Sequence, residues 1–233
     1  MNNRAEIGII CAMQVEIDGY LSQMTERNEI TVSGIRFYYG ILAKKTVVLA
    51  LCGIGKVFAA MCAQTMILKF SPKCIINTGV AGSLSEKIGI GGTVIASGVL
   101  QHDMDTSAIG DPVGMISGIN VIELPTSERL TKIMARASEE LGFSYILGKV
   151  ASGDQFISTK EKKAWIKDTF GASACEMEGA AIGQVCYVNN VEFCVLRAIS
   201  DGGDENASLD YPKFVREASA RAVAIMYRAI SFI

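Results

Sequence analysis

The stretch Cys74-Ile75-Ile76-Asn77-Thr78-Gly79-Val80-Ala81-Gly82 passes from an apolar run straight into a string of small residues. Such a run, bounded by glycine, predicts a strand over residues 74–78, buried on both faces as at the centre of a sheet covered by helices. In open α/β sheets ligands sit beyond the carboxyl ends of strands, where small side chains let backbone amides approach. Residues 78–82 are therefore a candidate binding segment. Outward from this stretch, further Ile/Val-rich runs at 6–12, 35–42, 46–51, 93–99, 145–152 and 192–200 alternate with helical patterns at 55–70, 127–141, 178–189 and 211–230. The alternation predicts an α/β fold with helices on both faces of the sheet. Ser127, and the run Ser208 to Asp210, are placed to cap the helices that follow them. Lys44-Lys45 marks a hairpin turn between two strands. No linker or repeat divides the chain, so residues 1–233 read as one domain, large enough to bury about 70% of its unfolded surface. Residues 102–123 are glycine-rich, weakly periodic and contain Asp111-Pro112, the marks of a long functional or interfacial excursion.

Composition narrows the class of function. With 22 basic and 24 acidic residues the formal charge is -2, and no basic run could track a phosphate backbone, so nucleic acid is not an expected partner. A mean hydropathy of +0.32 raises the question of a membrane. The longest uncharged stretch, 88–101, holds four glycines and falls short of the ~20 apolar residues a spanning helix needs. The apolar residues 7–13 lead directly into Glu16 and Asp18, unlike a secretory leader. Seven cysteines, odd in number, set in apolar runs and without a C-x-x-C pair, read as reduced core residues of a cytoplasmic protein. A single histidine, His102, leaves little for a histidine metal site or a Ser-His triad, and no metal or cofactor is expected.

Two glycine-rich segments fail nucleotide-loop tests. Gly53-Ile54-Gly55-Lys56 has Ala50 where a phosphate loop needs glycine and Val57 where it needs a hydroxyl. Gly89-Ile90-Gly91-Gly92 has Val94 at the third glycine position of the dinucleotide fingerprint and is followed by a strand. Both read as turns needing positive φ. Three acids recur just past an apolar run or opening a small-residue helix: Glu16, Glu178 and Asp201. Glu16 and Glu178 also suit plain helix capping, and Asp201 a turn. Arg197 lies mid-strand, where an unpaired guanidinium is costly, and is expected to pair with Glu176 or Asp201. Carboxylates converging at one sheet edge, without histidine or metal ligands, suit hydrolysis of a glycosidic bond. Its oxocarbenium-like transition state needs an acid for the leaving group, a base for water and acceptors for sugar hydroxyls.

Six motifs then carry a family resemblance. Gly8-Ile9-Ile10-Cys11-Ala12-Met13-Gln14-Val15-Glu16, Cys52-Gly53-Ile54-Gly55-Lys56, Ile76-Asn77-Thr78-Gly79-Val80-Ala81-Gly82, Ser152-Gly153-Asp154-Gln155-Phe156-Ile157, Glu176-Met177-Glu178 and Arg197-Ala198-Ile199-Ser200-Asp201 occur in order along nearly the whole chain. Together they resemble the 5′-methylthioadenosine/S-adenosylhomocysteine nucleosidases of the purine nucleoside phosphorylase-like family. The resemblance implies a three-layer αβα sandwich with a mixed central sheet, a homodimer, and hydrolysis of an adenine-ribosyl bond. By motif, Glu16 resembles the base that orients water, Glu178 the carboxylate that grips the ribose hydroxyls, and Asp201 the acid that protonates departing adenine. Ser200 resembles a donor supporting Asp201, and backbone around Phe156 and Ile157 a reader of the adenine edge. Ala81 and Gly82 would flank the purine. Met13, Ile54, Met177 and Tyr211 would line the ribose and 5′-alkylthio pocket, with Ala12 and Glu176 also at the substrate site.

The first strand-to-helix turn offers Glu16 and no arginine, which favours water over phosphate as nucleophile. Gln14 and Val15 are uncharged, leaving Glu16 as the base of that turn. The aromatic residue that relatives lend across the dimer would fall within residues 109–116; this chain has none there, and Met115 or Ile116 stands in its place. His102-Asp103-Met104-Asp105 matches a family segment of structural or interfacial character. The competing readings are a 6-amino-6-deoxyfutalosine nucleosidase, a phosphorolytic purine nucleoside phosphorylase, and a non-catalytic nucleoside-binding module.

Overall fold

A computed structural model describes residues 4–233. In chain order it runs β1 (Ile7–Cys11), α1 (Gln14–Leu21), β2 (Thr25–Val32), β3 (Ile35–Leu42), β4 (Lys45–Leu51), α2 (Lys56–Phe70), β5 (Cys74–Ser83) and β6 (Thr93–Gln101). After the excursion come β7 (Glu123–Pro125), α3 (Glu128–Glu140), β8 (Tyr145–Ser152), α4 (Lys160–Phe170), β9 (Ala172–Glu176), α5 (Gly179–Val188), β10 (Glu192–Asp201) and α6 (Ala207–Ile230). The class is the expected one, a mixed central sheet between helical layers. Alternation along β1 shows how the layers are glued. Ile7, Ile9 and Cys11 point into one core with α1, α3 and α6, while Ile10 points into the other with α2 and α5. Gly8 takes the position where a Cβ would press on Met66 of α2.

The sheet is not a simple open one. β2, β3, β4, β1 and β5 follow side by side, and β5 then pairs with both β10 and β9. β10 pairs with β6, β6 with β8 and β8 with β9, so five strands close on themselves and the first four form an open wing. β1, β4, β5 and β10 run parallel, so their carboxyl ends share one edge. The antiparallel β9 pairs Cys175 with Gly82, which brings Glu176 to the same edge.

Several expected boundaries move, each for a physical reason. The strand expected over 74–78 continues to Ser83, because the small residues 79–82 pair in register with β10 and are not a free turn. α6 begins at Ala207 after Asn206, so Ser208 to Asp210 form its first turn and do not cap a start at Tyr211; Pro212 lies inside the helix. The two positive-φ residues of the hairpin turn are Ala43 and Lys44, and Lys45 already belongs to β4. Ser127 does cap α3, accepting the Leu130 amide at 3.3 Å. Residues 102–123 hold little beyond a short 3-10 turn at Ser107–Ile109 and a bridge between Ile116 and Val121, as an excursion should. Gly53, Gly55 and Gly91 have positive φ, as read from the sequence. β2, β7, β9 and α4 were not expected, and α1 was expected only as a helix start at Glu16.

Replacing Ser127 by alanine removes a single cap far from the carboxylate edge. It should lower stability by about 1 kcal/mol in urea titrations while turnover is unchanged.

Candidate active site

The sheet edge gathers a buried set of charges. Glu16 lies in the first turn of α1, immediately after β1. Its Oε2 accepts the Ala12 and Met13 amides at 2.9 and 3.0 Å, and its Oε1 accepts the Val80 amide of β5 at 3.1 Å. The capping interpretation is thus correct but incomplete, since the carboxylate also reaches across to a second strand. Burial pushes its proton affinity up against the opposing pull of Arg197 and the three amides, and the net direction is upward.

Arg197, in the middle of β10 and 1% exposed, is the hub. Its Nη2 donates to Asn77 Oδ1 and to Glu176 Oε2, and its Nη1 to the Val80 carbonyl at 3.3 Å. Glu178 Oε2 lies 3.5 Å from the same Nη2. Of the two partners expected for Arg197, Glu176 is the one found, with Glu178 in place of Asp201. Asn77 is itself fixed by donating its side-chain amide to the Ile10 carbonyl at 3.0 Å. Gly79 is what lets this set close, because a Cβ there would lie 2.6 Å from Arg197 Nη1 and 2.8 Å from Glu16 Cδ.

Glu176 ends β9 with both oxygens engaged by protein donors: the Ser152 hydroxyl, Arg197, and the Glu178 and Gly179 amides at 3.0 and 2.8 Å. Glu178 occupies the N-cap position of α5, where its Oε1 accepts the Gly55 amide at 2.9 Å. Burial and the neighbouring Glu176 charge push its carboxyl up to about 7. Asp201, the last residue of β10, stands apart from the cation. Its oxygens accept the Gly203 amide and the Ser200 hydroxyl, each at 2.9 Å. Burial raises its proton affinity against these two hydrogen bonds, and the Asp204 and Asp210 charges raise it further.

These groups face one cavity of about 290 Å³. Glu16, Glu178 and Asp201 line it together with Ala12, Met13, Ile54, Ala81, Gly82, Phe156, Glu176, Met177, Ser200 and Tyr211. Ile157 lies one step away, in an adjoining cleft of about 40 Å³ shared with Gly82, Phe156 and Asp201. Val80, Cys175 and Arg197 also line the main cavity, although the sequence reading did not place them there. The small-residue segment already contained Val80, and Cys175 directly precedes Glu176. Phe156 and Tyr211 pack edge to face with centroids 5.8 Å apart, and the Tyr211 hydroxyl meets Met13 Sδ at 2.9 Å. Cys175 is no nucleophile, since burial and then Asp201 push its thiol far above neutral. Ile116, one of the two outward-facing candidates in the excursion, is instead 3% exposed inside its own chain. Met115 is the other candidate, and Ile109 of the same excursion is 83% exposed. Among the described residues no cluster of three or more His, Cys, Asp or Glu side chains is placed to hold a metal.

The phosphorylase superfamily profile matches residues 6–231. A 5′-methylthioadenosine/S-adenosylhomocysteine nucleosidase of Staphylococcus haemolyticus is 38% identical over 94% of this chain and 96% of its own. Among solved structures, a futalosine hydrolase of Helicobacter pylori superimposes with a TM-score of 0.94 at 35% identity, covering 97% of each chain. A Helicobacter pylori nucleosidase mutant with 5′-methylthioadenosine in the active site superimposes with a TM-score of 0.95 at 33% identity, covering 98% of this chain and 99% of that one.

Arg197→Met tests the electrostatic hub. Removing the cation leaves buried carboxylates uncompensated, at a cost of about 3–5 kcal/mol at pH 8. Without Arg197 the folded protein holds carboxylate protons more tightly than the unfolded chain does, so the variant should regain stability as pH falls from 8 to 5.5. Equal losses at the two pH values in denaturant titrations would contradict the charge argument.

Proposed function

This chain belongs to the phosphorylase superfamily and, within it, to the 5′-methylthioadenosine/S-adenosylhomocysteine nucleosidases, and from that premise we propose that it hydrolyses the N-glycosidic bond of both nucleosides, releasing adenine. The observation that carries the reading is the separation of two carboxyls on one cavity wall. Glu16 is held by three amides beside Arg197, whereas Asp201 is buried away from that guanidinium, with the Asp204 and Asp210 charges raising its proton affinity. Burial pushes both carboxyls up, but only Glu16 has the Arg197 cation opposing that push, and this difference assigns Glu16 as the base and Asp201 as the acid. Asp201 gives a proton to the departing purine, with Ser200 fixing its orientation. Glu16 orients the attacking water and takes its proton. Glu178 accepts hydrogen bonds from the ribose hydroxyls, and the carboxylates together favour the positive charge that develops on the sugar. Gly82 leaves a flat wall for the purine, since a Cβ there would lie 2.8 Å from Asp201 Oδ1. Glu176 shapes the site mainly by holding Arg197.

Phosphorolysis fits this wall poorly. A phosphate dianion would meet Glu16, Glu176 and Glu178, while the cation among them is already engaged by Glu176 and Asn77. A second reading has one observation in its favour: the likeness to a futalosine hydrolase supports turnover of 6-amino-6-deoxyfutalosine at the same site. Ile54 and Phe156, 55 and 49% exposed, leave the cavity open on one side.

We further infer a homodimer acting in the cytoplasm. The outer face of α2 presents Val57, Phe58 and Met61 at 70, 50 and 40% exposure, and a second copy would cover it. The seven cysteines are all free and buried, which suits a reducing compartment. Among the described residues no helix is long and apolar enough to cross a membrane.

Adenine release should proceed without inorganic phosphate. Asp201→Asn and Glu16→Gln should each keep the fold by circular dichroism and lose about 100-fold or more in kcat. Near-normal release by either variant would overturn its role, and a strict phosphate requirement would overturn hydrolysis. In the wild type, kcat should fall on the alkaline side as Asp201 loses its proton and on the acid side as Glu16 gains one. Ser200→Ala removes a hydrogen bond that favours the Asp201 carboxylate. Its alkaline limb should therefore move to higher pH.

A further inference from the structure

Beyond the cavity wall, Lys56, Asp103 and Asp154 close a ring of hydrogen bonds. Lys56 Nζ donates to Asp103 Oδ1 at 2.6 Å, Asp103 Oδ2 accepts the Asp154 amide at 2.9 Å, and Asp154 Oδ1 accepts the Lys56 amide at 2.8 Å. Lys56 donates twice, Asp103 accepts twice, and Asp154 donates with its amide and accepts with its carboxylate. The topology explains the arrangement: Gln101 and Ser152 are paired at the ends of the parallel strands β6 and β8, and Asp103 and Asp154 each lie two residues beyond that pair. Lys56 comes from across the edge, as the first residue of α2. The Lys56–Asp103 side of the ring is shielded, with side chains 18 and 19% exposed, whereas Asp154 is exposed; Lys56 also donates to Gln101 Oε1 at 3.0 Å. Burial pushes the Asp103 carboxyl up, but the Lys56 and Asp154 hydrogen bonds outweigh it and hold the group below its ordinary range.

What the ring joins gives it meaning. Just before Lys56 stand Gly55, whose amide binds Glu178, and Ile54, which lines the cavity. Just after Asp154 comes Phe156 on the same cavity, packed on Tyr211. Gly55, with φ +99°, lets the link form, because a Cβ there would sit 3.0 Å from Asp154 Oδ1. None of the three ring members lines the cavity.

We propose that Lys56, Asp103 and Asp154 are positioning residues, a latch that sets the spacing of Ile54 from Phe156 and aims the Gly55 amide at Glu178. The inference rests on the nucleosidase reading for its kinetic consequence. The latch touches neither Glu16 nor Asp201 and reaches the reacting groups only through the Gly55 amide on Glu178, which holds the ribose before and during bond breaking alike, so its loss mainly removes binding shared by the ground and transition states. That raises KM and spares kcat.

Asp103→Ala and Lys56→Met break the ring from opposite sides. Each should raise KM for 5′-methylthioadenosine about tenfold, the loss of one charge-assisted hydrogen bond. kcat should stay within about twofold. The double variant should be no worse than either single one, and Lys56→Arg should restore part of the loss. Hydrogen exchange, which needs no substrate, should speed up in both variants at residues 54–56 and 153–157 while the sheet amides are unchanged. A fall in kcat at constant KM, additive effects, or unaltered exchange in those two segments would overturn the latch. If the wild type released no adenine from any of the nucleosides, the functional reading would fall, and the exchange data would still decide the latch.

Discussion

One buried guanidinium governs the architecture of the site. Placing Glu16, Glu176 and Glu178 within a single low-dielectric space is tolerable only with a cation among them, and Arg197 is that cation. Its fork geometry turns charge compensation into a construction rule. Bonds to Asn77 and Val80 tie β10 to β5, Glu176 brings in β9, and Glu178 brings in the start of α5. Asn77 passes the constraint on to β1 through the Ile10 carbonyl. A residue that would be a liability in an ordinary central strand is therefore what aligns four elements at one edge, and Gly79 is small because this arrangement leaves no space for a side chain.

The charge balance that results is uneven, and the unevenness suits glycosidic chemistry. Around Arg197 the acids outnumber the base, so the wall stays negative, which disfavours anionic nucleophiles and favours a sugar that becomes cationic. Asp201 lies outside the reach of that cation. Two hydrogen-bond donors steady its carboxyl, while burial and the acids nearby keep a proton on it more readily than on a solvated aspartate. Glu16 and Asp201 thus differ in their surroundings, on which the proposed base and acid roles rest, and histidine has no part in the cavity wall.

Much of this was legible in the sequence because central strands announce themselves. The runs of β1, β5 and β10 are apolar and buried almost throughout, and acids follow the carboxyl ends of β1 and β10, so position and chemistry coincided there. What could not be read was built by pairing and not by local pattern. β2 is a polar edge strand, Thr25–Val32, held by its hairpin with β3, and its composition alone reads as loop. β9 is five residues of small and polar side chains whose identity as a strand comes from β5 and β8. The closure of five strands into a ring likewise has no local signature, since it depends on β5 having two partners at its far end. Arg197 was recognisable as a charge in need of an acid, but which acid depended on β9, the strand the pattern concealed.

The cavity then divides into two mechanical parts. Its floor is made from strand ends and the first turns of helices, where Glu16, Glu178, Arg197, Ser200 and Asp201 are all 5% exposed or less. Close packing on every side leaves such groups one arrangement, as bond-breaking chemistry requires. Its mouth is made from two connecting segments, and there Ile54 and Phe156 are 55 and 49% exposed. In the proposed reading, adenine and ribose meet the floor, and groups that vary at the 5′ position extend toward the mouth. A fold of this kind can keep one glycosidic chemistry while its 5′ preference drifts, because changes at the mouth leave the Arg197 hub untouched.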